Sequence, residues 1–158
     1  MSQPVRLVRY IAIRRARRCD QSHIRALVLS ERLAPDNIHW RNFIVAVADG
    51  RIVGTVQLRP LPDGYCELGS LAVAPDMRGR GIATRMIEQL LAEAEGPVEM
   101  ITGAKFAARY ERFGFRRIPR SQAPRPVCLR YFLGQFLGGL VSVIKGYAPR
   151  RLTILQRA

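Results

Sequence analysis

Apolar residues along this chain shift between a spacing of two and a spacing of three or four, and the shifts mark out its elements. Tyr10-Ile11-Ala12-Ile13 predicts a short first strand. Beyond Asp20, a residue suited to capping a helix, Ile24, Leu27, Val28 and Leu33 recur at helical spacing until Ala34-Pro35-Asp36-Asn37 stops the run. The next six residues, 37–42, fit either a short helix or a loop. Three strand-like runs come after it at 43–49, 51–60 and 65–73. Asp49-Gly50 separates the first two and Pro62-Asp63-Gly64 the last two, so turn chemistry predicts an antiparallel meander. Ile82, Met86 and Leu90, joined by Ile87 and Leu91, share one face of a helix over 82–95 that Gly96-Pro97 ends. A strand at 98–102, a helix at 104–113 closed by Gly114 and a strand at 115–118 come next. This order predicts an α+β fold with a mixed, mostly antiparallel central sheet of six to seven strands between helical layers.

The C-terminal part changes the rhythm. After the turn-rich 121–126, Leu129, Phe132, Leu133, Phe136, Leu137, Leu140, Val141 and Ile144 fall on one face of an additional amphipathic helix. Arg130, Gly134, Gln135, Gly138, Ser142 and Lys145 on its other side make it too polar for a membrane span. Its apolar face suits packing on the body of the domain or on a second copy in a homodimer. Peripheral attachment to a membrane through 127–145 is the other reading, helped by flanking arginines. Residues 151–157 predict a last strand.

A chain of 158 residues suffices for one domain burying roughly 70% of its unfolded surface. The expected division of 1–158 is a leader at 1–9, a core at 10–118 and an extension at 119–158. No segment combines a signal peptide's basic start, apolar core and small-residue cleavage site, which predicts a cytoplasmic protein. Cys19, Cys66 and Cys128 match neither a disulfide framework nor a metal-ligand spacing, and with only His23 and His39 no metal site is expected. The formal charge of +14 points towards polyanionic ligands or anionic surfaces. The Arg14, Arg15, Arg17 and Arg18 cluster is read as a solvated basic face, with phosphate binding as the alternative, and no nucleic-acid signature accompanies the charge.

Candidate chemistry starts at the junction between the third run of the meander and the helix after it. In Arg78-Gly79-Arg80-Gly81-Ile82-Ala83 the glycines allow positive φ and close approach, so backbone N–H groups can converge on an anion. The first turn of the helix adds donors and the positive end of its dipole, and Arg78 and Arg80 add charge. The combination predicts a phosphate cradle. The Walker loop lacks its Gly-Lys-Ser/Thr and the dinucleotide fingerprint its third glycine, which removes two nucleotide classes.

Taken with LAVAPD before it and TRMIEQLLAEA after it, the spacing Arg78-x-x-Gly81-x-Ala83 resembles motif A of the GCN5-related N-acetyltransferase (GNAT) superfamily. AARYERFGF resembles its motif B, and IAIRRARRCDQSHIRAL is similar to its first strand and helix. The resemblance covers about 10–118. Gly103 and Phe106 depart from it, standing where many members carry asparagine and alanine before the motif-B tyrosine.

The resemblance implies acetyl-CoA as cosubstrate, with its pantetheine arm between the splayed fourth and fifth strands. Backbone groups of the Leu71-Ala72-Val73 stretch would meet the arm and the thioester carbonyl, and amides from Gly79 through Ile82 and Ala83 to Thr84 the pyrophosphate. The implied reaction is direct attack on the thioester by an amine of a small-molecule or peptide acceptor. Tyr110 is the candidate acid, expected to share a buried face with Phe106 and Phe113. Glu67 interrupts an apolar strand and is the candidate base, through a water, or a binder of a cationic substrate, or a structural partner of Arg59. Cys19 or Cys66 as an acetyl-carrying nucleophile has no His-Asp partner to activate it. His39 and Trp40 are read as lining an acceptor pocket, with a core role for Trp40 as the alternative.

Overall fold

A computed structural model of the chain describes residues 10–33, 37–145 and 151–158, and of residues 63 and 137–145 the backbone alone. The predicted leader and the Ala34-Pro35-Asp36 helix stop lie outside the described residues. Seven strands line up as β1-β2-β3-β4-β5-β7-β6. In chain order they are β1 (Ile11–Arg15), β2 (Phe43–Ala48), β3 (Arg51–Pro60), β4 (Cys66–Val73), β5 (Val98–Gly103), β6 (Arg116–Ile118) and β7 (Leu152–Arg157). The helices are α1 (Gln21–Ser30), α2 (Ile82–Ala92), α3 (Ala108–Glu111) and α4 (Arg125–Lys145). The chain clusters into two compact units. The first holds the described residues up to Gln57 together with Ser70–Leu91, and the second holds Leu58–Gly69 and everything described from Ala92 on.

In the first unit β1 and β2 pair antiparallel from Ile11↔Ala48 to Arg15↔Ile44, and β2 pairs antiparallel with β3. The turn between β2 and β3 is the expected Asp-Gly, with φ of +49° at Asp49 and +76° at Gly50. α2 buries Ile82, Met86, Ile87, Leu90 and Leu91, as its period predicts. Gly54 lets it approach: a Cβ there would stand 2.8 Å from Met86 Cε, 3.1 Å from Ala46 Cβ and 3.2 Å from Ile82 Cγ2. Ala16, Ile24, Val28, Phe43 and Val45 form a core against which Leu33, Ile38 and Trp40 pack. Trp40 therefore serves as an anchor, in a 3-10 turn (Trp40–Asn42) that Gln21 pins by accepting from the Trp40 N–H at 2.9 Å.

Asp20 does not cap α1 through its side chain. Its carboxylate turns back to accept from the Arg17 N–H at 2.6 Å and from the Arg14 guanidinium at 2.7 and 3.1 Å. Those bonds hold it below the usual carboxylate range.

In the second unit β7 pairs antiparallel with β5 along its length, Val98↔Arg157 to Gly103↔Leu152, and with β6 on its other edge. The C-terminal extension thus supplies a strand between β5 and β6. The helix predicted over 104–113 is shorter: a 3-10 turn (Ala104–Phe106) leads into the single turn of α3, closed by Gly114 at φ +85°.

α4 spans the predicted range but turns the other way about its axis. Val127 is buried, and Arg130, Tyr131 and Gln135 are half-buried, while Leu129, Phe132, Leu133 and Phe136 face solvent. The reason is polar. Arg130 Nε lies 3.2 Å from the buried Glu67 carboxylate, the Tyr131 hydroxyl donates to the Leu152 carbonyl at 3.3 Å, and Gln135 donates to that hydroxyl at 3.2 Å. The side chains of Leu137, Leu140, Val141 and Ile144 lie outside the described residues. No helix among the described residues is long and apolar enough to cross a membrane.

Candidate functional site

The first unit carries the loop between β4 and α2. After a 3-10 turn (Pro75–Met77) whose Met77 is buried, the backbone passes through Gly79 at φ +75° and Gly81 at φ +70°. These conformations favour glycine. A Cβ at either position would have no atom within 4 Å, so the loop's outer side is open. Among the described residues no hydrogen bond takes up the backbone N–H of Gly79, Arg80 or Gly81. The N–H groups of Ile82 and Ala83 open α2, where helix geometry provides no acceptor one turn back. Five main-chain donors thus stand together at the positive end of the α2 dipole, and that donor set fits the oxygens of a phosphate-bearing ligand.

The two arginines divide their work. Arg78 donates from Nε to the Val73 carbonyl at 3.1 Å and from Nη2 to Glu31 at 2.5 Å, so it ties the loop to β4 and to the end of α1. Arg80 is exposed. Arg51 pairs with Asp76 ahead of the loop and holds that carboxyl below the usual range.

β4 is kinked at Ser70, a non-glycine residue at φ +51°. Such a conformation costs on the order of 1 kcal/mol and persists where neighbours enforce it. Here the buried Thr55 hydroxyl donates to the Ser70 carbonyl at 3.1 Å, and buried Gln57 donates to the Ser70 hydroxyl at 2.8 Å. Leu71, Ala72 and Val73 come directly after the kink, with the Val73 carbonyl already accepting from Arg78. The strand pattern does not single out Ser70, Thr55 or Gln57. Gly69 inside a strand run is the available signal for a local irregularity.

In the second unit β4 and β5 pair in parallel at Cys66↔Val98 and Glu67↔Glu99 only. Beyond that point β5 continues with β7 as its partner. The strands part immediately after two acidic residues. Glu67 is 4% exposed, and its Oε2 accepts from Arg59 Nη2 at 2.6 Å beside Arg130 Nε at 3.2 Å. Arg59 is thus a structural partner of Glu67, and Arg130, brought in from α4, is one that no local pattern reveals. Glu99 is fully buried, with Oε1 accepting from Gln156 at 2.6 Å and, among the described residues, no partner on Oε2. Burial pushes its carboxyl up; the Gln156 bond opposes that and the charge of Glu67 adds to it.

Tyr110 on α3 is half-buried, its ring edge-on to buried Phe115 at 6.2 Å. Burial raises its hydroxyl above the usual tyrosine range, against a hydrogen bond with Thr102 and the charge of Arg109. It is therefore a phenol, able to donate, at neutral pH. The expected buried face of Phe106, Tyr110 and Phe113 does not form. Phe106 is 37% exposed between Lys105 and Arg109, because the 3-10 turn before α3 breaks the helical period on which that face depended. Among the described residues no hydrogen bond joins Tyr110 to Glu67. Burial also pushes the Cys66 thiol up, away from a reactive thiolate.

Comparison with known proteins adds independent observations. An acetyltransferase (GNAT) domain model matches residues 39–117, half of the chain. No curated protein matches it in sequence. Among solved structures, N-acetylglutamate synthase from Neisseria gonorrhoeae, complexed with coenzyme A and N-acetyl-glutamate, is similar with a TM-score of 0.74 at 20% identity, over 94% of this chain and 35% of that one. The chain spans about a third of the length of that enzyme. Rv2747 from Mycobacterium tuberculosis, in complex with CoA, gives 0.71 at 24% identity over 93% and 98% of the two chains. Diaminobutyrate acetyltransferase EctA from Paenibacillus lautus, with L-2,4-diaminobutyric acid and coenzyme A, gives 0.56 at 20% identity over 66% and 74%. With the seven-stranded mixed sheet, the glycine loop at the head of α2 and the matched domain model, the chain belongs to the GNAT acetyltransferase family.

Proposed function

We propose that the protein is an acetyl-CoA-dependent N-acetyltransferase acting on a primary amine, and that 1–158 form one such domain. The observation that carries this reading is the group of unclaimed main-chain N–H donors from Gly79 to Ala83 at the start of α2. Gly79, Arg80, Gly81, Ile82, Ala83 and Thr84 would hold the cosubstrate's pyrophosphate, with Arg80 supplying charge. Arg78 would act by fixing the loop, since its guanidinium is engaged by Val73 and Glu31. Backbone groups of Leu71 to Val73, set by the kink at Ser70, would meet the thioester arm. Acetyl-CoA, when bound, supplies a thioester that a neutral amine can attack. Tyr110, protonated at neutral pH, would give its hydroxyl proton to the departing sulfur. Glu67 would take the amine proton through a water at Oε1, because Oε2 serves Arg59 and Arg130.

The acceptor class best supported is a small amino-acid-like amine, since one enzyme named above was crystallised with the N-acetylated amino acid N-acetyl-glutamate and another with L-2,4-diaminobutyric acid. The ion pairing of Glu67 favours a second reading, a CoA-binding module of the same fold without catalysis. Calorimetric titration with CoA should give saturable binding under both readings, and Gly81→Val should abolish it. Thiol release from acetyl-CoA across a panel of amino acids and diamines separates them. Turnover that falls at least tenfold in Tyr110→Phe, with CoA affinity unchanged, is the expected result. Failure of every amine to give turnover would leave only the module, and absence of CoA binding would remove both.

A further inference from the structure

The outward face of α4 belongs to none of the chemistry above. Leu129, Phe132, Leu133 and Phe136 are 62, 53, 50 and 72% exposed, and their spacing of three, four and seven places them on one stripe two turns long. The stripe is not a loosely packed core face. Rolling α4 to bury it would withdraw Arg130 from the buried Glu67 carboxylate and the Tyr131 hydroxyl from the Leu152 carbonyl. The helix is therefore held with its apolar side out.

The surroundings are positive. The Arg120 guanidinium lies over the rings of Phe132 at 5.3 Å and Tyr131 at 5.5 Å, and exposed Arg125 opens the helix one turn before Leu129. From Ile101 to Ala158 the sequence holds a single acidic residue, Glu111, against twelve Lys and Arg. We infer that α4 docks on a membrane bearing anionic lipids, the 129/132/133/136 stripe entering the interfacial zone while Arg120 and Arg125 meet the headgroups. An amphipathic helix with arginines beside its apolar stripe has the two attractions such binding needs, burial of apolar area and counter-charge. A second copy of this chain would bring one arginine-rimmed face against another, and a nucleic acid would leave the stripe in water. An anionic bilayer satisfies both parts of the surface.

Co-sedimentation of the full chain with vesicles tests it. The protein should pellet with phosphatidylcholine vesicles carrying roughly 30% phosphatidylglycerol and stay in solution with phosphatidylcholine alone. Phe132→Ser combined with Phe136→Ser should weaken binding about tenfold or more at equal charge, because the lost affinity is apolar. Both side chains are largely exposed, so an unchanged thermal melt establishes that this variant is folded. Arg120→Glu with Arg125→Glu, checked in the same way, should also release the protein. Equal binding by the parent and the phenylalanine variant would overturn the inference, since charge alone would then explain it. So would failure of the parent to bind the anionic vesicles, or a concentration-dependent dimer in sedimentation equilibrium that the phenylalanine variant dissociates.

Discussion

Asp20 stands where a helix cap is expected, and its carboxylate is used one step earlier in the chain, by Arg14 and the Arg17 N–H. A hydrogen-bonded ion pair that is largely out of water is worth roughly 1–2 kcal/mol, so Asp20→Asn should lower stability by about that much. Because the folded carboxyl sits below its unfolded value, this contribution is present above the ordinary aspartate range and fades as pH falls through the folded value. Chemical denaturation of parent and variant should therefore converge in acid. Glu99 has the opposite sign. Its carboxyl is raised by burial, so the folded state tolerates it when neutral and loses stability as pH climbs through the raised value. Glu99→Gln should melt like the parent near pH 4 and at a higher temperature than the parent at pH 8. The sequence singles out Glu67 because a charge in an apolar run needs a task or a partner, and Arg59 is one of the three roles it leaves open. It carries no hint of Arg130 or Glu99, which reach Glu67 from elements far along the chain.

The elements whose apolar spacing is unbroken, β1 to β5, α1 and α2, occur within a few residues of their predicted bounds. Their faces are decided by local period and turn chemistry. α3 and α4 behave otherwise. α3 shrinks to one turn behind a 3-10 turn, and α4 faces outward because polar bonds to Glu67 and Leu152 outweigh the burial its stripe would gain. Periodicity finds a helix but not the neighbour it will meet. Two glycines make the helix and turn geometry testable. Gly54→Ala places a methyl against Ala46, Ile82 and Met86 and should cost about 1–3 kcal/mol by displacing α2, read as a lower denaturation midpoint with unchanged slope. Gly96→Ala, at φ +84°, sets a methyl 2.7 Å from the Gly64 carbonyl oxygen and should cost about 1 kcal/mol or more.

For the molecule as a whole, the family is legible because two glycine-bearing motifs stand in the right order, and the matched domain model ends at residue 117. The segment beyond residue 118 reads in sequence as an addition to the core, yet its strand β7 fills the place between β5 and β6. Antiparallel pairing over that distance leaves no trace in local sequence, since any apolar six-residue run could take the position. A chain ending at residue 145 should consequently lose the cooperative melt of the full protein and collect in the insoluble fraction. The arrangement also sets a timetable. On the ribosome β5 and β6 emerge early, but the strand that joins them is separated from β5 by roughly fifty residues and a long helix, so two open sheet edges wait for it. That interval is when the nascent protein is most exposed to wrong partners, and slower translation of the α4 segment would lengthen it.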